Sequence, residues 1–352
     1  MASASQDREH SLKIFAAQYF QILEPQHLML PPNGVLIQPK AQCWIYENMF
    51  NEVEIWPIPP VRYRCRVLKM VLSLLESSIT DPEEDEITED LMNVWTDLIT
   101  RPQRSPLDEA QDLSYIKYSP PGIWDLGISR SVITCENRGL ILSSGTTGFR
   151  TWEAALHLGT YLSTPSGKAV VSGKNIVELG AGTGLISLYC FKCLGTNSVV
   201  ATDREPALIS NIQDCVSRNN LNSPRFRTHI WEWGRPLTVL DESSADLPTS
   251  FDVALGADLI YDSDLIPVLV STLHDLFENY NLKEFLISAT LRNQETFTTF
   301  LNCCEKTNLH AQLIHFQSPP RQLQDGFFHG TDVPIRTYRI ITCKSHNDLR
   351  SI

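Results

Sequence analysis

Ile176-Val177-Glu178-Leu179-Gly180-Ala181-Gly182-Thr183-Gly184 joins a short apolar strand bearing one acid to a turn with three glycines. A helix-like stretch follows over residues 185–194. The pattern reads as the nucleotide-side loop of a doubly wound α/β sheet. Glycine is required because such a turn needs positive φ and because a Cβ would collide with the ligand or the strand beneath. A dinucleotide fingerprint, G-x-G-x-x-G, would put its third glycine at position 185, where this chain has Leu185. Glu178 also places an anion near the helix N-terminus, the end that otherwise attracts phosphate. Both residues argue against NAD and against a ligand held by its pyrophosphate.

Outward from this loop, strand and helix alternate regularly. Strands are expected at 175–179, 198–202, 227–231, 251–257, 284–290, 311–316 and 337–343, with helices to 194 and at 205–219, 265–277 and 294–305. Strands joined by helices of this length predict a parallel sheet covered on both faces. Ahead of it a helix runs from Trp152 to 162. Residues 129–135 and 140–144 read as a β-hairpin about the turn Glu136-Asn137-Arg138-Gly139. The first hundred residues are mainly helical, with apolar residues at three- and four-residue spacing over 12–23, 61–75 and 86–98. Pro57, Pro59, Pro60 and Pro82 break the chain between them. The expected organisation is a helical domain over 1–105, a linker over 106–128, and the hairpin with the α/β domain over 129–345.

Composition narrows the function. With 42% hydrophobic and 20% charged residues among 352, the chain is an ordinary globular one, large enough for two domains. No apolar run is long enough to span a membrane, and the polar start carries no secretory signal, so the expected address is the cytoplasm. A net charge of -12 opposes binding of naked nucleic acid. Seven of the ten residues from Asp81 to Asp90 are acidic, which suits either a solvated helix start or a docking surface for a basic partner. Nine scattered cysteines read as thiols. Cys190 and Cys193 have C-x-x-C spacing but fall inside the helix after the glycine loop, with no second pair to complete a metal set, so no metal is expected.

Ligands of such sheets sit at the carboxyl ends of the strands. The second strand ends at Asp203, about twenty residues beyond the loop, where an acid accepts ribose hydroxyls; it could equally cap the helix that follows. After the third strand come Trp231-Glu232-Trp233-Gly234, either ring able to stack on a base or to fill the core. Trp233 lies just past the strand and is the better placed. The fourth strand ends Gly256-Ala257-Asp258-Leu259-Ile260-Tyr261, small residues that admit a ligand followed by an acid and a phenol at the mouth. A helix cap and a packing aromatic are the alternatives there.

Together these residues resemble the lysine methyltransferases of the methyltransferase-like 21 group, which carry an E-x-G-x-G-x-G loop and a D-x-x-Y motif after the fourth strand. Ser144-Gly145-Thr146-Thr147-Gly148, Thr151-Trp152-Glu153-Ala154-Ala155-Leu156 and Thr290-Leu291-Arg292-Asn293-Gln294-Glu295-Thr296-Phe297 look like that group's elongation factor 2 branch. The likeness covers residues 60–345. It implies a seven-strand doubly wound Rossmann-like methyltransferase sheet, with the N-terminal helices serving substrate recognition. It also implies S-adenosyl-L-methionine, a ligand with a sulfonium and no phosphate, bound by Trp152, Glu178, Gly180, Ala181, Gly182, Asp203, Trp233 and Ala257. Asp258 and Tyr261 would handle the substrate lysine, on elongation factor 2 or on another protein. A non-catalytic binding module on the same fold is the competing reading, opposed by the intact acids. Arg292 and Asn293 would either touch the protein substrate or merely end a strand and cap a helix.

Overall fold

The computed structural model describes residues 2–81, 85–102, 104–122, 130–139, 146–237 and 250–342. The chain forms two compact units, Met1–Leu140 and Ile141–Ile352.

In the first unit, α1 (Ala2–Phe20), α2 (Asn33–Leu36), α3 (Pro39–Ile45), α4 (Val61–Ser78), α5 (Glu89–Thr100) and α6 (Pro106–Gln111) precede a pair of strands. Their core follows from sequence spacing. On α4, Val67, Leu68, Val71, Leu72 and Leu75 recur every three or four residues, so they share one face, and all five are buried. They pack with Phe15 and Tyr19 of α1, Ile45 of α3, and Leu91 and Leu98 of α5. Between α3 and α5, the Gln42 side chain donates to the Glu86 carbonyl and accepts from the Thr88 N–H, each at 2.9 Å.

A strand pair not expected from the sequence closes this unit. β2 (Val132–Glu136) runs antiparallel to β1 (Ser114–Tyr118), with Ile116 opposite Thr134. Residues 140–144, the partner expected from the sequence, lie outside the described residues. β1 and α6 both fall in the stretch expected as a linker. The Glu136–Gly139 turn suggested a local partner for β2; the partner seen among the described residues lies upstream. In β1 only Ile116 and Tyr118 turn inward, an alternation too short to stand out among prolines and polar residues.

The second unit contains α7 (Glu153–Ser163), α8 (Pro165–Val171), β3 (Asn175–Leu179), α9 (Leu185–Cys193), β4 (Ser198–Asp203), α10 (Pro206–Arg218), β5 (Phe226–Ile230) and β6 (Val253–Ala257). It continues with α11 (Ile266–Asn279), β7 (Glu284–Thr290), α12 (Gln294–Lys306), β8 (Leu309–Ile314) and β9 (Ile335–Thr342). Its seven strands form one sheet in the order β5-β4-β3-β6-β7-β9-β8. Neighbours are parallel except at β9, which is antiparallel to both β7 and β8. The central strands are near-continuous apolar runs, such as Val199-Val200-Ala201 and Phe285-Leu286-Ile287, because they are buried on both faces. Val177 and Leu179 of β3 pack with Leu269 and Leu273 of α11 and Phe297 and Phe300 of α12. By the two-residue period of a strand, Glu178 points the other way.

The order of connection places the site. From β3 the chain moves outward through β4 and β5, then returns to β6 on the other side of β3. Loops leaving β3 and β6 therefore diverge and open a crevice at their carboxyl ends. No helix among the described residues is long and apolar enough to cross a membrane. Cys190 is buried and Cys193 half-buried on α9, and the described residues hold no metal-ligand cluster.

Candidate active site

β3 and β6 are in register with Leu179 opposite Gly256, so Gly180 and Ala257 begin the two walls of the crevice side by side. Two glycines show why the loop takes no other residue. Gly180 has φ +57, and a Cβ there would stand 2.8 Å from the Leu259 side chain. Gly182 has φ +53, and its Cβ would stand 3.0 Å from the Gly148 carbonyl oxygen. The Gly148 backbone thus presses on the loop at Gly182, and the Leu259 side chain, just past β6, at Gly180. The result is a cavity of about 500 Å³, within the usual range for a cofactor-sized ligand.

Glu178 is fully buried, and its Oε2 accepts from the Ser187 backbone N–H at 2.9 Å and from the Ser187 hydroxyl. Ser187 lies in the first turn of α9, so the carboxylate occupies the position a phosphate would take there. Burial pushes the carboxyl from 4.5 up to about 7, against the two Ser187 bonds. The folded state consequently holds a proton more tightly than the unfolded chain between these values. This contribution to stability is present below about 4.5 and is lost as pH rises through about 7. Denaturation across pH 4 to 8 should show wild type losing roughly 3 kcal/mol relative to Glu178→Gln. Parallel stability curves for the two proteins would refute this.

Asp203 ends β4 and faces the loop. Its Oδ2 accepts from the Gly182 N–H at 3.0 Å and its Oδ1 from the Glu205 N–H at 3.2 Å. Capping and loop support are thus both present, and each oxygen keeps a lone pair for a ligand. Burial raises this carboxyl despite those N–H groups. Both tryptophans line the cavity but differ in burial. Trp231 is 4% exposed in the core, its indole N–H donating to the Arg235 carbonyl at 2.8 Å. Trp233 lies against the loop, its Cζ2 3.5 Å from where a Gly180 Cβ would be.

Asp258, the first residue after β6, has φ +57, a left-handed conformation that is unfavourable for a side-chain-bearing residue. Neighbouring strand β7 holds it there. The Asp258 N–H donates to the Ser288 carbonyl at 2.8 Å, and the Thr290 N–H donates to Oδ1 at 3.0 Å. Arg292 ion-pairs with Oδ2 at 3.3 Å and also reaches Glu153 at 3.8 Å. Burial raises the Asp258 carboxyl, opposed by Thr290 and Arg292. Capping falls instead to Asp262, which accepts from the Asp264 N–H. Tyr261 is 62% exposed, too open for a packing aromatic. Asn293 does cap α12, through the Glu295 N–H at 2.8 Å.

Trp152 precedes α7, its indole N–H donating to the Thr147 carbonyl at 3.2 Å. Guanidinium carbons of Arg150 and Arg292 each lie 5.0 Å from its ring centroid. Trp152, Glu178, Gly180, Ala181, Gly182, Asp203, Trp233, Ala257, Asp258 and Tyr261 all line the one cavity. Arg150, also on its wall, and the Asp258–Arg292–Glu153 bridge were not foreseen. Arg292 is 34 positions from Asp258, and no local pattern announces such a pair.

Strand order, switch point and acid-bearing glycine loop define a Rossmann-like methyltransferase domain. The chain belongs to the lysine methyltransferase family, whose model matches residues 141–307. It is 38% identical over 323 residues to the protein-lysine N-methyltransferase EFM3 of Chaetomium thermophilum, covering 91% of this chain and 95% of that one. The Saccharomyces cerevisiae EFM3 is 30% identical over 225 residues, 58% of this chain and 64% of that one. Human protein-lysine N-methyltransferase EEF2KMT is 29% identical over 209 residues, 55% and 59% respectively. The protein is thus an enzyme that methylates lysine in a protein, with S-adenosylmethionine as donor. The cavity fits that donor. Its glycine cradle leaves room for backbone approach, Asp203 has lone pairs for a ribose diol, and Glu178 closes the position a phosphate would need.

Proposed function

We propose that the chain methylates a lysine of elongation factor 2 and that Asp258 and Tyr261 handle that lysine. The observation that carries the site reading is Asp258, an acid held in a left-handed conformation at the cavity mouth beside exposed Tyr261. The substrate reading is supported by the motifs at 144–156 and 290–297 and by the similarity to EEF2KMT. Residues 1–105 are proposed to recognise the protein substrate, since the cavity mouth alone offers a small rim.

Bound in the cavity, the donor supplies an electrophilic methyl group on a sulfonium. Asp203 would accept the ribose hydroxyls, and Trp233 would hold the base. The Gly180-Ala181-Gly182 backbone and Ala257 would admit the donor, with Glu178 fixing the loop and Trp152 closing the side. Asp258 accepts an N–H of the incoming lysine, which fixes the direction of the nitrogen lone pair once the ammonium has lost a proton to solvent. Tyr261 lines the approach.

The tryptophans give a paired test. Trp233→Ala is expected to weaken S-adenosylhomocysteine binding roughly tenfold through loss of ring contact, with little change in stability. Trp231→Ala is expected to destabilise the fold by about 3–5 kcal/mol, as a large core truncation. Calorimetric titration and denaturation would distinguish them, and a reversed pattern would reassign the base-facing ring. For the substrate, purified protein is incubated with a methyl-labelled donor and elongation factor 2, and the modified residue is mapped by mass spectrometry. Labelling at one lysine is expected. Absence of transfer to elongation factor 2, with transfer to another protein, would overturn the substrate while leaving the reaction standing.

A further inference from the structure

Three arginines stand on the cavity wall, and two are already matched. Arg204 pairs with Glu205 at 3.0 Å, and Arg292 with Asp258 and Glu153. Arg150 forms no ion pair among the described residues. Its guanidinium rests near the Trp152 ring, and its buried Nε has no hydrogen-bond partner among the described residues. A partly buried cation with an orphaned donor is unfavourable unless an anion meets it. The five acids on the wall do not fill this role: Glu178 is bonded to Ser187, Asp203 to the Gly182 and Glu205 N–H groups, and Asp258 to Thr290 and Arg292, while Glu205 pairs with Arg204 and Glu232 with Arg235.

The methyl donor carries one anionic group, the α-carboxylate of its methionyl part. Its sulfonium and ammonium are cations, and its ribose and base are neutral. We propose that Arg150 holds this carboxylate, with Trp152 as the platform that keeps the guanidinium in place. The position fits the donor's connectivity. Arg150 and Arg292 both lie against the Trp152 ring, and Arg292 reaches Asp258, so Arg150 belongs to the end of the cavity where Asp258 stands. Asp203, the proposed ribose acid, ends β4, the next strand beyond β3. The carboxylate is four bonds from the sulfur on the side away from the ribose, so it requires its cation at the Arg150 end. The same segment already closes on the loop, where the Gly148 carbonyl lies against Gly182 and the Thr151 and Thr183 hydroxyls bond at 2.7 Å. Arg150 would therefore set which way round the donor lies.

This inference rests on the donor occupying this cavity, which the wild-type titration tests separately. Full-length wild type, Arg150→Gln and Arg150→Lys are titrated calorimetrically with S-adenosylhomocysteine and with its decarboxylated analogue. Arg150→Gln should weaken S-adenosylhomocysteine roughly 10- to 100-fold, the range for loss of a charge-assisted bond. The analogue should change less than about threefold, and Arg150→Lys should recover part of the loss, because a point charge replaces a fork. Equal weakening of both ligands would overturn the proposal and make Arg150 a prop for Trp152. An unchanged affinity for S-adenosylhomocysteine would overturn it as well, as would a wild type that does not discriminate the two ligands. Wild type binding neither ligand would instead remove the cavity assignment on which the proposal stands.

Discussion

Asp258→Ala is expected to lower kcat by roughly 10²–10³-fold while S-adenosylhomocysteine binds within about threefold of wild type. The size follows from losing both a charged acceptor for the lysine nitrogen and the alignment it provides, since misplacement of a reacting group by an ångström costs about 10²-fold. The cofactor side should be spared because, Ala257 apart, the residues proposed to cradle it belong to other strand ends. Folding is the competing explanation, and the structure supplies the control. Asp258 sits at φ +57, a conformation that asparagine tolerates better than alanine does, and Asn can still accept from the Thr290 N–H. Asp258→Asn should therefore keep the thermal midpoint of wild type yet remain strongly impaired in single-turnover transfer. Near-wild-type transfer by the asparagine variant would show that the charge is dispensable and would move the lysine elsewhere. A loss seen only in KM would assign Asp258 to binding the protein substrate rather than to orienting its nitrogen.

Asp203→Ala should show the opposite division: a loss of roughly 10²–10³-fold in affinity for S-adenosylhomocysteine, with kcat at saturating donor within about tenfold of wild type. Two charge-assisted bonds to a ribose diol, at about 1.5–3 kcal/mol each, account for a loss of this order. A second effect adds to it. The Gly182 N–H donates to Asp203, so truncation leaves the loop without the bond that sets its curvature. Asp203→Asn separates the two contributions, since an amide oxygen can keep the Gly182 bond but carries no charge for the diol. An intermediate affinity is expected, measured by calorimetry. Should Asp203→Ala bind the ligand as wild type does, the ribose would have to lie elsewhere and the acid would be a helix cap alone.

The sheet was legible because each of its signals is local. β3 begins and ends where the apolar run 175–179 does, and β7 matches 284–290 residue for residue. Glycines, strand ends and the acids just beyond them are likewise local, which is why the cavity's walls could be named in advance. Three features were not accessible in that way. β2 pairs with β1 upstream, a strand that its polar and proline-rich surroundings conceal. The left-handed backbone of Asp258 is imposed by β7, and a sequence reading of this segment as a cap misses it. The Arg150–Trp152–Arg292 stack brings together residues from before α7 and after β7, which only the closed sheet makes neighbours.

The ladder between β3 and β6 carries a consequence for how such an enzyme can change its target. Because Leu179 faces Gly256 in that ladder, the loop proposed to cradle the donor and the acid proposed to meet the acceptor are gauged by main-chain hydrogen bonds between two adjacent strands. Side chains along the rim can then be exchanged freely without altering the distance across which the methyl group travels. A new substrate requires a new rim, whereas the interval between the two reactants is inherited with the backbone.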